Sequence, residues 1–275
     1  ILSISILYPF VQLLNLSLST PDKIIPGEIL LYPRGFTVDS YRSVFRDNML
    51  ISGYANTLFR TVVGTALSLV VILCLAYPLS KKDLPYRKFF TGLFLFAMFF
   101  SGGRIPEYLL IKNLGLMDNI WVYIFPNLVQ IFDMLIVRNF LMTVSPELEE
   151  SARIDGAGEL RTLFTIIVPV CMPVIATVGL WIAVSHWNAW FDSMLYINTP
   201  AKQVVQIYMR RVVVEASDVE MRKMMEEMRR EFQIKATPES LKAAVLMVTT
   251  VPILLVYPFI QKYFVKGVMV GSVKG

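Results

Sequence analysis

A short polar segment, residues 145–165, lies between long apolar runs of this 275-residue chain. Ser145 and Pro146 are residue types preferred at the start of a helix, and the three glutamates that follow lie where the helix dipole favours anions. Residues 155–158, Asp-Gly-Ala-Gly, supply turn chemistry. Apolar residues with helical spacing come next: Leu160, Leu163, Phe164 and Ile167. The segment predicts a helical hairpin that, in a membrane protein, would lie at the interface and offer one face to a soluble partner.

Residues suited to catalysis or metal binding are scarce. The chain has a single histidine, His186, so clustered histidine metal sites are excluded. Its sequence contains neither a G-x-x-x-x-G-K-[ST] loop for nucleotide phosphates nor a G-x-S-x-G nucleophile motif. We therefore predict no catalytic residue, no metal and no cofactor in this chain. If it takes part in ATP-driven transport, the nucleotide chemistry must come from another polypeptide.

An aromatic and polar cluster ends one of the apolar runs: His186, Trp187, Asn188 and Trp190. The two tryptophans are three residues apart, which predicts one side of a helix. Two interpretations stay open. The cluster is an aromatic belt at the membrane interface, or it is a platform on which sugar rings stack while Asn188 or His186 bonds to hydroxyl groups.

Polar residues also interrupt another apolar run at a spacing of three: Asn127, Gln130 and Asp133. On one continuous helix they would share roughly one face. Polar groups inside a membrane are costly and often functional, so the stripe favours a water-lined path for a polar solute. The alternative is hydrogen bonding between neighbouring helices.

Composition places these residues in a membrane protein. The chain is 55% hydrophobic and 17% charged, with a mean hydropathy of +0.58, whereas soluble domains are about a quarter charged. Six apolar spans are predicted, at residues 1–16, 54–79, 88–103, 120–142, 166–189 and 241–260. Both cysteines fall inside such runs, so no disulfide framework is expected. The first residue is Ile, so we expect a missing N-terminal piece. Nucleic acid is not an expected partner, because the arginines lack interleaved aromatics.

Lysine and arginine set the predicted orientation. The loop at residues 80–87 and the tail at residues 261–275 are basic, which places both in the cytoplasm. Alternation then puts the hairpin at residues 145–165 inside and residues 198–240 outside, as an external helical insertion. That insertion is either a solvated helix or a Met-rich docking surface. Residues 1–275 thus form one transmembrane domain, and tail lysines can pair with anionic membrane lipid.

The hairpin resembles a known signature. Glu150-Ser151-Ala152, three residues, Gly156, nine residues, Ile166, one residue, Val168-Pro169 is similar to the EAA motif of ABC-importer permeases. Ser151 and Val168 depart from that motif by small or isosteric changes. The residues around it, the tail at 261–267 and the Trp-Asn pair at 187–188 resemble the carbohydrate-uptake branch, with its maltose-type members. The likeness covers residues 54–275.

The resemblance implies an all-α polytopic membrane protein with six transmembrane helices and the type I ABC importer permease architecture, in the cytoplasmic (inner) membrane of a bacterium. It implies a permease subunit that imports sugars or oligosaccharides. Expected partners are a second homologous permease, two ATP-binding subunits that carry ATP and Mg, and an extracytoplasmic solute-binding protein. It assigns coupling to the ATPase to Glu150, Ser151, Ala152, Asp155, Gly156 and Ala157. It assigns C-terminal coupling to Gly271, Ser272, Val273, Lys274 and Gly275.

Other functions remain as alternatives. One is an ABC permease for amino acids or peptides. Another is an ion-coupled secondary transporter or channel, which would need mid-membrane ion sites and usually has inverted repeats that the sequence does not display. A membrane enzyme fits least well. Basic residues of the external insertion could steer acidic oligosaccharides such as uronates, although acids nearby weaken that argument: Lys202, Arg210, Arg211, Arg222, Lys223, Arg229 and Arg230.

Overall fold

A computed structural model describes residues 2–20, 23–24, 31–215 and 236–272. All regular elements in these residues are helical, apart from one isolated bridge between Ser19 and Phe36. The predicted all-α fold is confirmed. The α-helices are α1 Leu2–Ser17, α2 Asp39–Arg46, α3 Asn48–Ser80, α4 Arg87–Phe99, α5 Arg104–Asn113, α6 Ile131–Leu141, α7 Pro146–Ile154, α8 Glu159–Thr162, α9 Val168–Val170, α10 Met172–Asn188, α11 Phe191–Tyr196, α12 Val205–Arg210 and α13 Pro238–Ser272.

Shorter helical turns link several of these helices. Turns of 3₁₀ type cover Ile120–Tyr123, Phe125–Asn127 and Pro200–Lys202, and π turns cover Leu163–Ile167 and Arg211–Glu215. The chain divides into two compact units. The first unit contains residues 1–57 and 189–255, and the second contains residues 58–188 and 256–275.

The first unit has its own apolar core, built from α2, the start of α3, α12 and the start of α13. Its most buried side chains include Val44, Leu50, Val205 and Leu241. Polar links cross this core: the Ser40 hydroxyl donates to the Ser240 hydroxyl at 3.0 Å, and the Tyr54 hydroxyl donates to the carbonyl of Val248. Buried polar groups are thus satisfied in pairs, which fixes how these helices meet.

The second unit is organised around α3, α6 and α10. Its core contains Ile72, Met134, Leu163 and Val178 among other buried residues. Gly64 of α3 lies so close to the His186 ring that a Cβ atom there would be 2.7 Å from Nε2. Small residues at such crossings let helix backbones approach closely in membrane proteins. His186, a member of the predicted aromatic and polar cluster, is therefore packed against α3.

The described helices contain fewer uninterrupted spans than the sequence suggests. By length and composition, only α3 and residues 238–255 of α13 can each cross a membrane alone within the described part of the chain. Three pairs of helices, bent by 110°, 50° and 89°, bring the number up to five if each pair is one span. Helix α1 has 16 residues, which is short for a bilayer crossing. The polytopic architecture is confirmed, and the six crossings stay a prediction.

Glycine and proline mark where the predicted apolar spans end or are interrupted in the structure. The third predicted span, residues 88–103, ends as a helix at Phe99, before Gly103 with its φ of +86°. The fourth, residues 120–142, is broken around Pro126 into two 3₁₀ turns and α6. The fifth bends by 89° between Val170 and Met172. Pro169 and Pro173 lie at that bend, and proline has no N–H for the helical ladder. The sixth extends well beyond its predicted bounds, as α13.

Candidate functional site

The polar segment after α6 forms a tight helix–turn–helix, which we call the hairpin (residues 145–165). Helix α7 begins with Pro146 at its first turn and ends at Ile154. The amide of Ala157 then donates to the carbonyl of Ala152 at 2.9 Å, and the amide of Gly156 donates to the carbonyl of Arg153 at 3.0 Å. This pair of bonds is a Schellman motif, which needs a left-handed residue after the helix. Gly156 fills that place with a φ of +76°.

Exposure along the hairpin separates an outer face from an anchored face. Glu150, Ser151, Asp155 and Gly156 are exposed, Ala157 is half-buried and Ala152 is buried. Two apolar side chains next to the turn also face outward, because Ile154 is 86% and Leu160 is 68% exposed. The outer face therefore combines acidic and apolar groups, as a protein-docking surface does.

Ser145 stands at the N-cap of α7, as predicted, although its side chain makes no capping hydrogen bond. Another prediction about the hairpin was wrong in detail. The predicted apolar stripe is split, since Leu163 and Ile167 are buried while Leu160 and Phe164 are exposed. The two buried residues are four apart, as are the two exposed ones, so each pair lies on its own edge of the stripe and only one edge faces the core.

Polar side chains attach the hairpin to the C-terminal end of α3, a contact that sequence reasoning missed. Lys81 forms an ion pair with Glu149 of α7, and its ammonium lies 4.0 Å from the centre of the Tyr77 ring. The Tyr77 hydroxyl donates to Glu159 Oε2 of α8 at 3.1 Å. Arg153 of α7 joins the two helical arms of the hairpin, α7 and α8, by donating to Glu159 Oε1 at 2.8 Å. Burial lowers the pKa of the Lys81 ammonium, and the Glu159 carboxylate opposes that shift.

The same end of α3 is capped by two arginines. The carbonyl of Leu79 accepts hydrogen bonds from Nε of Arg87, at the start of α4, and from Nε of Arg138, in α6, both at 3.0 Å. The last carbonyls of a helix lack intrahelical partners and carry the negative end of the helix dipole. The guanidinium groups supply both the missing hydrogen-bond donors and a positive charge near the negative end of the dipole. Helices α3, α4 and α6 are therefore joined at the Leu79 carbonyl.

The aromatic cluster is not arranged as the spacing predicts. Helix α10 ends at Asn188 and Trp190 precedes α11, so the two tryptophans do not share one side of a helix. His186 and Trp187 are buried, at 3% and 8% exposure, while Asn188 is exposed. Trp190 is half-buried, and the guanidinium of Arg210 lies 4.1 Å from the centre of its ring. This cation–π contact was missed, because the two residues are distant in sequence.

The predicted polar stripe is also wrong as a stripe. Asn127 closes a 3₁₀ turn and is exposed, Gln130 precedes α6 and is half-buried, and Asp133 lies inside α6 at 5% exposure. The break around Pro126 removes the continuous helix that would have aligned the three side chains.

Two further predictions concern metals and the tail. Across the described ranges, no group of three or more His, Cys, Asp or Glu residues could hold a metal ion. Gly271 and Ser272 lie at the end of α13, while Val273, Lys274 and Gly275 lie outside the described residues. Of the external insertion, residues 198–240, the stretch 216–235 lies outside them too.

Comparisons with known proteins agree with the motif. Residues 48–270 match the family described as binding-protein-dependent transport system inner membrane component. The chain is 39% identical over 268 residues to the polygalacturonan/rhamnogalacturonan transport system permease protein YtcP of Bacillus subtilis, covering 97% of this chain and 92% of that protein. It is 40% identical over 268 residues to protein LplC of the same organism, covering 97% and 89%.

A solved structure is similar along almost the whole fold. It is a chain from the crystal structure of a bacterial ABC transporter involved in the import of the acidic polysaccharide alginate. The TM-score is 0.88 and the sequence identity 30%, with 96% of this chain and 92% of that chain covered.

Proposed function

Because this chain belongs to the family of inner membrane components of binding-protein-dependent transport systems, we propose that it is the permease subunit of an ABC importer for acidic oligosaccharides. Several relatives are named as sugar-transport permeases, so the amino-acid, peptide and ion-coupled alternatives lose their support. The importer class gives the chain a transport role, while ATP and Mg belong to partner subunits.

The acidic nature of the solute rests on one observation. A relative found by sequence and a neighbour found by structure both carry names that specify acidic polymers, polygalacturonan and alginate. Each sugar of such a polymer bears a carboxylate. The expected solute is therefore an oligosaccharide with several negative charges and several hydroxyl groups.

Arg210 and Trp190 support this solute class within the first unit. The tryptophan ring holds the guanidinium 4.1 Å from its centre, and both side chains are half-buried. A guanidinium can bind a carboxylate through two parallel hydrogen bonds, and stacking on a ring keeps it preorganised. Sugar C–H groups can pack on exposed parts of the same aromatic surface. The pair thus offers both contacts that a uronate needs.

Coupling to ATP hydrolysis is assigned to the hairpin. Its outer face, with Glu150, Ser151, Asp155 and Gly156, docks on an ATP-binding subunit, and Ala152 and Ala157 hold the turn in shape. A second permease subunit, two ATP-binding subunits and an extracytoplasmic solute-binding protein complete the complex in a bacterial cytoplasmic membrane. Residues 271–275 provide a second coupling contact. Closure of the ATPase subunits then switches the permease between inward-open and outward-open states.

Stimulation of ATPase activity tests the proposed solute class. The complete complex in proteoliposomes is given its binding protein and either trigalacturonate or the methyl ester of the same trisaccharide. The ester keeps the sugar and removes the charge. We expect the acid to stimulate ATP hydrolysis and the ester to do so weakly. Stimulation by neutral maltotriose, with none by the acid, would contradict the proposal.

A further inference from the structure

The C-terminal end of α3 contacts both helices of the hairpin, α7 and α8, through a continuous set of polar contacts. We call this set the α3 clamp: Tyr77, Lys81, Glu149, Arg153 and Glu159. All five residues lie in the second unit. The inference that follows rests on the proposed function, because it concerns how ATP-driven movement of the hairpin reaches the transmembrane helices.

The first arm is held by charge. Lys81 pairs with Glu149 of α7, and their side chains are only 20% and 21% exposed. An ion pair that is largely withdrawn from water is less screened by salt than a pair on the surface. The ring of Tyr77 covers the same ammonium at 4.0 Å and adds a cation–π attraction. The Lys81 ammonium is thus fixed between α7 and the last turn of α3.

The second arm is held by a hydroxyl group. Tyr77 is buried, at 6% exposure, and its hydroxyl donates to Glu159 of α8 at 3.1 Å. Arg153 bonds to the other oxygen of the same carboxylate. That Arg153–Glu159 pair is 59% and 58% exposed, so it contributes little stability by itself. Its role is geometric, because it ties α7 to α8 and makes the two arms move together.

Helix α3 is suited to carry such movement. It runs without interruption for 33 residues, which corresponds to about 50 Å at the usual helical rise. Its C-terminal end is also fixed to α4 and α6 by the arginines on the Leu79 carbonyl. By contrast, the core contacts of Leu163 in the hairpin, and of Ile167 just after it, are apolar and less directional.

We propose that Tyr77 and Lys81 are positioning residues that lock the hairpin to α3, so that a displacement of the hairpin by the ATPase subunits moves α3 as one body. Without the α3 clamp, the ATPase subunits displace the hairpin, but the displacement is not transmitted fully to α3. ATP hydrolysis then continues, but less solute moves for each ATP consumed.

The test compares two variants with matched neighbours in the complete reconstituted complex. Tyr77→Phe removes one hydroxyl and keeps the ring, and its control is Tyr86→Phe at a tyrosine that is 81% exposed. Lys81→Met removes one charge, and its control is Lys82→Met at the adjacent exposed lysine. We expect solute moved per ATP to fall about tenfold in Lys81→Met, the size of change that loss of a charge-assisted hydrogen bond produces. The controls should match the wild type.

A charge exchange separates coupling from folding. The double variant Lys81→Glu, Glu149→Lys restores the ion pair with reversed sign but not the cation–π contact with Tyr77, and we expect it to recover part of the transport per ATP that Lys81→Met loses. If Lys81→Met lowers only the yield or melting temperature of the complex, and transport per ATP stays normal, the inference is overturned. A wild-type complex that takes up no oligosaccharide with ATP would instead refute the proposed function, before any clamp variant is compared.

Discussion

Replacing Gly156 by alanine isolates the backbone requirement of the hairpin turn. Gly156 has a φ of +76°, and an added Cβ would meet no atom within 4 Å. Alanine therefore creates no clash, and its whole effect comes from holding an L-residue in the left-handed region. That conformation costs about 1–2 kcal/mol. The population of the formed turn relative to an opened one should fall by roughly 5- to 30-fold.

Gly158 provides a control two residues away. It has an ordinary φ of −76°, and a Cβ there would also meet no atom within 4 Å. Gly158→Ala should be close to neutral, because the restriction of the unfolded chain, worth about 0.4–1 kcal/mol, is offset by placing alanine at the N-cap of α8. Gly156→Asn should lie between the two, because asparagine tolerates the left-handed region.

The assay is solute-stimulated ATPase activity and ATP-driven uptake by the assembled complex, with membrane insertion measured in parallel. We expect Gly156→Ala, and more strongly Gly156→Val, to lose coupled uptake while inserting normally. If Gly156→Ala and Gly158→Ala behave alike in uptake, the turn conformation has no part in coupling and the reasoning is refuted.

Three further predictions concern the solute path and the tail. Because Trp187 is buried, Trp187→Ala should lower the stability of the complex by about 3–5 kcal/mol, which a thermal melt measures. Loss of transport at unchanged stability would instead favour the sugar platform. Arg210→Gln should reduce uptake of trigalacturonate about tenfold and leave its methyl ester unaffected, and an equal loss for both would argue against carboxylate binding. Deleting residues 270–275 should preserve the permease pair but impair ATPase stimulation by solute, and full stimulation would exclude the tail as a coupling element.

The hairpin was predictable because its determinants are local. A proline at the start of α7, a glycine in the left-handed turn and a fixed spacing to Pro169 are all visible in one stretch of sequence. The interruptions within the apolar spans were harder to predict, because hydropathy averaged over about 19 residues does not reveal a break in the helix. Pro126 and Gly103 were visible in the sequence, but proline is tolerated in many spanning helices.

Long-range contacts were beyond a single sequence. Lys81 and Glu149 are 68 residues apart, and no local pattern pairs one lysine with one of three nearby glutamates. The same holds for Trp190 and Arg210, whose contact depends on how α11 and α12 pack. The prediction that Asn127 and Asp133 share one helix face was wrong because it required a continuous helix, and the two residues lie in separate helical segments.

The central claim is that this permease moves an acidic oligosaccharide with energy from ATP hydrolysed by its partners. The most direct measurement is accumulation of labelled trigalacturonate in proteoliposomes that hold the complete complex, with ATP and the solute-binding protein supplied or withheld. We predict uptake that requires both and persists after ion gradients are collapsed. Uptake without ATP that disappears when an ion gradient is collapsed would contradict the claim.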